Sequence, residues 1–296
     1  MTDPITAIAS LASVGKAADP MNSEVAKGGV ALWMKFLGPP AEAVGAHFKS
    51  RIELWSEDAL ARRVLEKAAR KADTSKPGTV SPRVASDIFD KAQWADDEFV
   101  AEYLSGVLAS SRTPDGVDDS GVSWTALVGR LSSAQLRLHF ILYSTARHHL
   151  TGRQIEAVND LENLPIFVPL FPVLQLLGGE ADTFNEAIMN LIREGLLSDR
   201  YAIDTAGAGT APGKAIPEGP AMVYRLSNAG VMLYMRGGGS RDTMVRAIAD
   251  EAATTTFDAV DGIPIPIPGS SLRDELPDAS PPEEGETPAS GVPTEG

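Results

Sequence analysis

The sequence contains no cysteine, which excludes disulfides, thiol catalysis, cysteine-ligated zinc and iron–sulfur clusters. It also lacks a long apolar run: the longest, residues 164–177, covers about 14 residues, includes three prolines and falls short of the roughly 20 needed to cross a bilayer. The first 21 residues have no basic start followed by a compact apolar stretch, so we expect no secretory signal. These absences predict a cytoplasmic protein.

Signatures of catalysis and cofactor binding are missing as well. Residues 207–214 read GAGTAPGK and resemble a phosphate-binding loop, but the glycine spacing is wrong and Ala215 replaces the magnesium-binding serine or threonine. His139, His148 and His149 have no acidic residue four positions later, so we expect an exposed helix end there and no metal site. No Gly-x-Ser-x-Gly elbow occurs. We expect no enzymatic activity and no cofactor.

The negative charge is concentrated at one end of the chain. Asp and Glu number 40 against 26 Lys and Arg, a net charge of −14, and residues 257–296 hold nine of the acids, one arginine and eight prolines. Such a segment cannot bury enough apolar surface to offset its ordering entropy, so we expect a disordered acidic tail, above all from about residue 270 onward. The exceptions are Ile263, Ile265 and Ile267, which alternate with prolines and predict a stiff linker, a groove-bound segment or a partner site.

After an N-terminal arm, 1–21, residues 22–130 read as a helical domain. The apolar stretch 30–37 ends at Gly-Pro-Pro, and 41–71 predicts one long amphipathic helix whose basic cluster, Arg62 to Lys71, forms a solvated face. Ser81 and Pro82 predict the start of a short helix. The clearest pattern is 95–110, where one apolar face predicts a core formed by Phe99, Tyr103, Leu104, Val107 and Leu108.

Residues 131–236 predict a different, α+β unit. Capping boxes at 132–135 and 183–186 predict the starts of two helices, and Gly195 predicts the end of the second. Strand-like residues 199–203 and 222–226 flank a Gly/Pro-rich loop, and Ser227 predicts the cap of a last helix. This order resembles a winged helix. A short helical connector, 237–256, is expected to follow.

Winged helices often read DNA through their third helix, here residues 182–194. The outward candidates include Asn190 and Arg193, but residues 131–236 hold eight basic against ten acidic residues and so lack an electrostatic footprint for DNA. Winged helices also dock proteins, and that use fits the charge better. We therefore expect no nucleic acid as a partner, and instead an unidentified protein of the host or a phage.

Three segments carry a family resemblance. Residues 94–113 read WADDEFVAEYLSGVLASSRT, residues 131–136 read LSSAQL, and residues 38–45 read GPPAEAVG. Together they resemble the bacterial abortive-infection alpha (Abi-alpha) family over roughly residues 30–235. The resemblance implies a role in bacteriophage defence with unknown biochemistry, and its helix-packing motifs transfer no active site. The long wing and the acidic tail depart from the family pattern.

The expected fold is mainly α: a helical domain, a winged-helix-like α+β domain and a disordered tail. The leading hypothesis is a phage-defence protein that acts through protein–protein interaction. The alternatives are a winged-helix DNA-binding regulator, a hydrolase of unrecognised type and a membrane-active effector that associates with a bilayer through 30–37 and 166–177 without being integral. Arg112 is a further candidate interaction residue, or an anchor that fixes the turn at 114–116 through Asp115, Asp118 or Asp119.

Overall fold

The structure is a computed structural model that describes residues 36, 46–73, 76–204, 214, 219–258 and 262–276. This part of the chain is mainly helical and carries one small antiparallel sheet. The apolar stretch 30–37 lies outside it except for Phe36, which is buried. Within the described residues from 46 onward, the first five helices are α1 (Ala46–Glu57), α2 (Ala59–Lys71), α3 (Pro82–Ala92), α4 (Glu98–Ser110) and α5 (Gly121–Val128).

The single long helix predicted over 41–71 is wrong, because Asp58 divides it. The Asp58 carboxylate accepts a hydrogen bond from the Ala61 amide at 2.8 Å and so caps the start of α2. The other predicted boundaries hold more closely. α3 begins at Pro82, and the Asp97 side chain caps α4 through the Phe99 amide at 2.8 Å.

The predicted face of α4 is confirmed as core. Phe99, Tyr103, Leu104, Val107 and Leu108 are all buried, and α2 packs along this helix. A second contact joins α4 to a later helix, α10 (Asn228–Gly237). At that crossing a Cβ on Gly106 would lie 1.8 Å from the Gly237 carbonyl oxygen, so only glycine permits the close approach.

Residues 131–236 contain the remaining helices, α6 (Ser133–Leu150), α7 (Val158–Glu162), α8 (Leu170–Leu176) and α9 (Ala181–Arg193), before α10. The capping box at Ser132 is confirmed, with both reciprocal hydrogen bonds present. The second capping box is wrong: α9 begins at Ala181, so Thr183 lies inside its first turn. Its end is as predicted, since Gly195 adopts φ +69° and the Leu196 amide bonds the Leu191 carbonyl at 2.8 Å.

Four short strands form the sheet: β1 (Ile166–Pro169), β2 (Ala202–Asp204), β3 (Ala221–Tyr224) and β4 (Ser271–Leu272). Their order across the sheet is β2-β3-β1-β4, and all neighbouring strands are antiparallel. Ile166 pairs with Tyr224 between β1 and β3, and Ala202 pairs with Val223 between β2 and β3. The hairpin loop predicted at 205–220 lies largely outside the described residues.

Strand β4 corrects the prediction of a tail disordered from about residue 270. Leu272 is buried and pairs with Ile166 of β1, and Leu276 is buried as well. The acidic residues here are paired, since Arg153 contacts both Asp274 and Glu275. A disordered tail therefore does not begin at residue 257 or 270, and residues 277–296 lie outside the described part of the chain.

Candidate functional site

Helix α9 presents one outward face. Its inner side chains are buried against α6, whereas Asn185, Glu186, Met189 and Arg193 are exposed and Asn190 is half-buried. The exposed fraction of Met189 reaches 56%, which is high for a large apolar side chain. The buried residues of the helix are Phe184, Ala187, Ile188 and Leu191.

Strand β2 extends this face. The Tyr201 hydroxyl lies 3.6 Å from the Met189 sulfur, so the chain entering β2 touches the exposed side of α9. Ile203 is two residues farther along an extended chain, which places it on the same face as Tyr201, and its exposed fraction is 41%. We call the surface formed by Asn185, Met189, Arg193, Tyr201 and Ile203 the α9–β2 surface.

The charges around the α9–β2 surface do not suit nucleic acid. Asp182 and Glu186 are exposed on α9 together with Arg193, and Arg200 is exposed beside Tyr201. The Arg193 Nε lies 3.9 Å from a Glu194 carboxylate oxygen, which partly neutralises it. Arg130 also binds Glu194, at 2.9 Å. A phosphate backbone requires a cluster of free cations, and this surface does not supply one.

Arg112 is an anchor, but not for the turn that follows it. Its guanidinium donates hydrogen bonds to the backbone carbonyls of Asp73 at 3.0 Å and Gly78 at 2.8 Å, and it lies over the Phe36 ring. None of the three predicted carboxylates binds it, because each is held locally. Asp115 accepts from the Thr113 hydroxyl, Asp118 from the Ser120 amide and Asp119 from Arg83.

A solvent-open cavity of about 540 Å³ lies beside Arg112. The loop after α2 forms one wall, and the loop after α10 forms another. Its charged lining includes Asp73, Lys76, Arg112, Arg241 and Asp242.

The predicted solvated basic face of α2 is wrong for its two innermost lysines. The side chains of Lys67 and Lys71 are 5% and 0% exposed, and both form ion pairs with the fully buried Glu102 of α4. Lys71 also donates to the carbonyls of Glu102 at 2.8 Å and Gly237 at 2.9 Å. Burial lowers the pKa of Lys71 to about 8, against the opposing charge of Glu102. This cluster therefore joins α2, α4 and α10.

His139 is buried, which corrects the expectation of an exposed histidine. Its Nδ1 lies 2.6 Å from the Tyr103 hydroxyl and its Nε2 lies 3.2 Å from the Gly230 carbonyl oxygen. Since a carbonyl only accepts, Nε2 carries the proton and Nδ1 accepts from Tyr103. Burial lowers the pKa of His139 to about 3, so the ring is neutral. His148 is exposed, and His149 is half-buried with Nε2 3.0 Å from the Ser270 hydroxyl.

The three isoleucines of the tail have separate environments. Ile267 is fully buried, and its amide donates to the Thr145 hydroxyl at 3.3 Å. Ile263 is partly buried against the core, whereas Ile265 is 37% exposed. Of the three alternatives left open by the sequence, the structure favours the groove-bound one, because residues 263–267 pack on the body of the protein.

Comparisons with protein-family models, with curated proteins and with solved structures find no match to this chain. Among the described residues, no helix is long and apolar enough to cross a membrane, and no group of three His, Asp or Glu is arranged to hold a metal ion. The segment 166–177, considered for bilayer contact, places Ile166, Phe167 and Val168 inside the sheet and exposes Phe171.

Sequence reasoning does not find the charged cavity or the Lys67–Glu102–Lys71 cluster. Their members lie far apart in the chain, and their positions on helices are compatible with solvent exposure. One signal was available for the cluster: Glu102 follows the apolar Val100 and Ala101 on a helix whose other faces are also apolar. A charged residue enclosed in this way needs a cation from another element.

Proposed function

We propose that this chain is a bacterial phage-defence protein of the abortive-infection type, which acts in the cytoplasm by binding another protein and not by catalysis. The resemblance of 94–113 and 131–136 to the Abi-alpha family supports the defence role. These segments cover α4 and the start of α6, whose side chains are mostly buried. They are therefore suited to specifying a shared fold, and the contact with a partner must come from another surface.

We further infer that residues 131–236 are a winged-helix-like unit. The order α6, α7, β1, α8, α9, β2, β3 supports this inference when the five-residue α7 is counted as part of the connection after α6. The position of β3 between β2 and β1 supports it as well. In this arrangement α9 takes the place of the third helix and β2–β3 the place of the wing. The α9–β2 surface then corresponds to the face with which winged helices meet their targets.

The observation that carries the proposal is that the α9–β2 surface exposes apolar side chains and lacks a cluster of basic ones. Met189 and Ile203 project from adjacent elements, with Tyr201 between them. Clustered exposed apolar side chains mark contact sites for proteins, whereas nucleic acids require a basic footprint. A protein partner explains both features.

Affinity capture from phage-infected cells tests this proposal. We expect the wild type to retain a specific protein and Met189→Glu to lose it, because a carboxylate would be buried without a partner in the interface. Met244→Glu is the matched control, since Met244 is 60% exposed and lies outside the α9–β2 surface. Equal capture by both variants would contradict the proposed surface.

Two further measurements separate the alternatives. A mobility shift of DNA at low salt that disappears in Arg193→Ala would replace the proposal with a DNA-binding regulator. Co-sedimentation of the full chain with liposomes would favour a membrane-active effector. We expect neither effect.

A further inference from the structure

Beyond the α9–β2 surface, we propose that the cavity beside Arg112 binds a small phosphate-bearing molecule. A volume of about 540 Å³ lies within the range of small-molecule sites, roughly 300–1,000 Å³, and exceeds what a lone phosphate ion fills. The lining is rich in charge and backbone, with glycines at 78 and 239 and few apolar side chains. Such a site suits a hydrophilic anion the size of a mononucleotide.

The two carboxylates of the lining are already engaged. Asp73 binds the Lys76 ammonium at 3.1 Å, and the Asp242 carboxylate accepts the Met244 amide at 3.1 Å. Lys71 also borders the cavity, but its ammonium is directed to Glu102 and Gly237. The cations of the lining that have no carboxylate bonded to them among the described residues are therefore Arg112 and Arg241, and of these Arg241 is the exposed one.

Both arginines line this one cavity, and no carboxylate of the described residues is bonded to either. All the hydrogen bonds of Arg112 go to backbone carbonyls, and no ion pair of Arg241 occurs within the described ranges. The pKa of Arg112 is lowered by burial and further by the charge of Arg241, while Asp73 opposes the change. A bound anion would relieve this repulsion, and the exposed Arg241 guanidinium can match phosphate oxygens in geometry.

Arg241 also interacts with acids outside the cavity. It contributes to the lowered pKa of Asp115 and Asp118, behind the local hydrogen bonds that dominate both shifts. The exposed Arg241 is nevertheless the better residue to test. Arg112 holds three backbone carbonyls of the loop after α2, so its removal would disturb the fold.

Isothermal titration at low salt tests the proposal, with adenosine monophosphate, inorganic phosphate and adenosine as probes. We expect adenosine monophosphate and phosphate to bind and adenosine not to bind. Arg241→Glu should weaken phosphate-dependent binding at least about tenfold, because it replaces attraction by repulsion. Arg241→Gln should give a smaller loss in the same direction. Arg246→Glu is the matched control, since Arg246 is exposed, five residues away and outside this cavity.

The relative affinities of the three probes identify the ligand or overturn the proposal. Tighter binding of adenosine monophosphate than of phosphate assigns the cavity to a phosphorylated metabolite, and equal binding assigns it to inorganic phosphate. The proposal is overturned if the wild type binds neither anion at millimolar concentration, if adenosine binds as tightly as its monophosphate, or if Arg246→Glu weakens binding as much as Arg241→Glu.

Discussion

Two regions of this molecule bury polar groups in different ways. Where α2, α4 and α10 meet, the buried groups are charged: Lys67, Lys71 and Glu102 share one cluster. Between α6, α10 and the sheet, the buried groups are neutral hydroxyls and one imidazole. Tyr143 donates to the Leu196 carbonyl, and Tyr224 donates to the Leu142 carbonyl, each at 2.7 Å.

The two regions should differ in how strongly substitutions and acid destabilise them. A buried charge requires a complete set of opposite charges and hydrogen bonds, so losing one member leaves the others uncompensated. Loss of a neutral hydroxyl involves less free energy, because it leaves hydrogen-bonding groups without a partner but no uncompensated charge. The charged cluster should therefore be the more sensitive region to substitution, and the neutral network the more sensitive to acid.

The largest effect is expected for Glu102→Gln. It leaves Lys71 buried without its counter-charge and Lys67 with Glu98 alone. The free energy of unfolding should fall by about 3–5 kcal/mol, measured by urea denaturation at pH 7. Glu98→Gln is the control, because Glu98 also binds Lys67 but its side chain is 40% exposed. We expect less than about 1 kcal/mol for it. Similar losses for the two variants would erase the distinction between the cluster and an ordinary surface pair.

Leu104→Ala measures the apolar packing of the same helix. Leu104 is 1% exposed, and the cavity left behind should lower the free energy of unfolding by about 2–5 kcal/mol. Leu54→Ala, at a side chain 66% exposed, should change it by less than about 0.5 kcal/mol. An unchanged melting temperature for Leu104→Ala would mean that this face of α4 is not core in solution.

Acid tests the neutral network through His139. Its folded pKa of about 3 lies below the unfolded value near 6.5, so the unfolded state binds the proton first as the pH falls. Stability from this group is complete above pH 6.5 and is lost progressively towards pH 3. Between pH 7 and 4.5 the wild type should lose about 2.5 kcal/mol more than His139→Asn. Equal pH dependence in both proteins would show that the ring titrates normally.

The smallest of these effects is expected for Tyr143→Phe. Loss of the hydroxyl leaves the Leu196 carbonyl and the Ser227 amide without this partner, which should cost about 1–3 kcal/mol. Tyr201→Phe, at the half-exposed α9–β2 surface, should cost less than about 0.5 kcal/mol. If Tyr143→Phe destabilised the protein as much as Glu102→Gln, charge would not be what separates the two regions.

Local chemistry made several elements predictable. Ser132 and Gln135 predict the start of α6, Gly195 predicts the end of α9, and the apolar repeat of α4 predicts its buried face. Each of these signals is contained within one turn or one helix, where side chains act on their own backbone. The mainly helical class followed from such signals.

What could not be predicted depends on contacts distant in the chain. Strand β1 is a short apolar run whose partners, β3 and β4, lie more than 50 residues away in the chain. Its pattern of apolar residues therefore does not reveal which strands pair with it. Lys71 and Arg112 have polar surroundings in sequence but meet Gly237 and Gly78 in space. The order at Leu272 likewise comes from the edge of β1, which its own proline-rich segment does not disclose.

The central claim is that the α9–β2 surface serves phage defence through a protein partner. The plating efficiency of a panel of phages on cells that express the wild type, Met189→Glu or Met244→Glu tests it most directly. With equal expression and melting temperature, the wild type and Met244→Glu should reduce plating of at least one phage, and Met189→Glu should restore it. Full protection by Met189→Glu, or no protection by the wild type against any phage, would contradict the account.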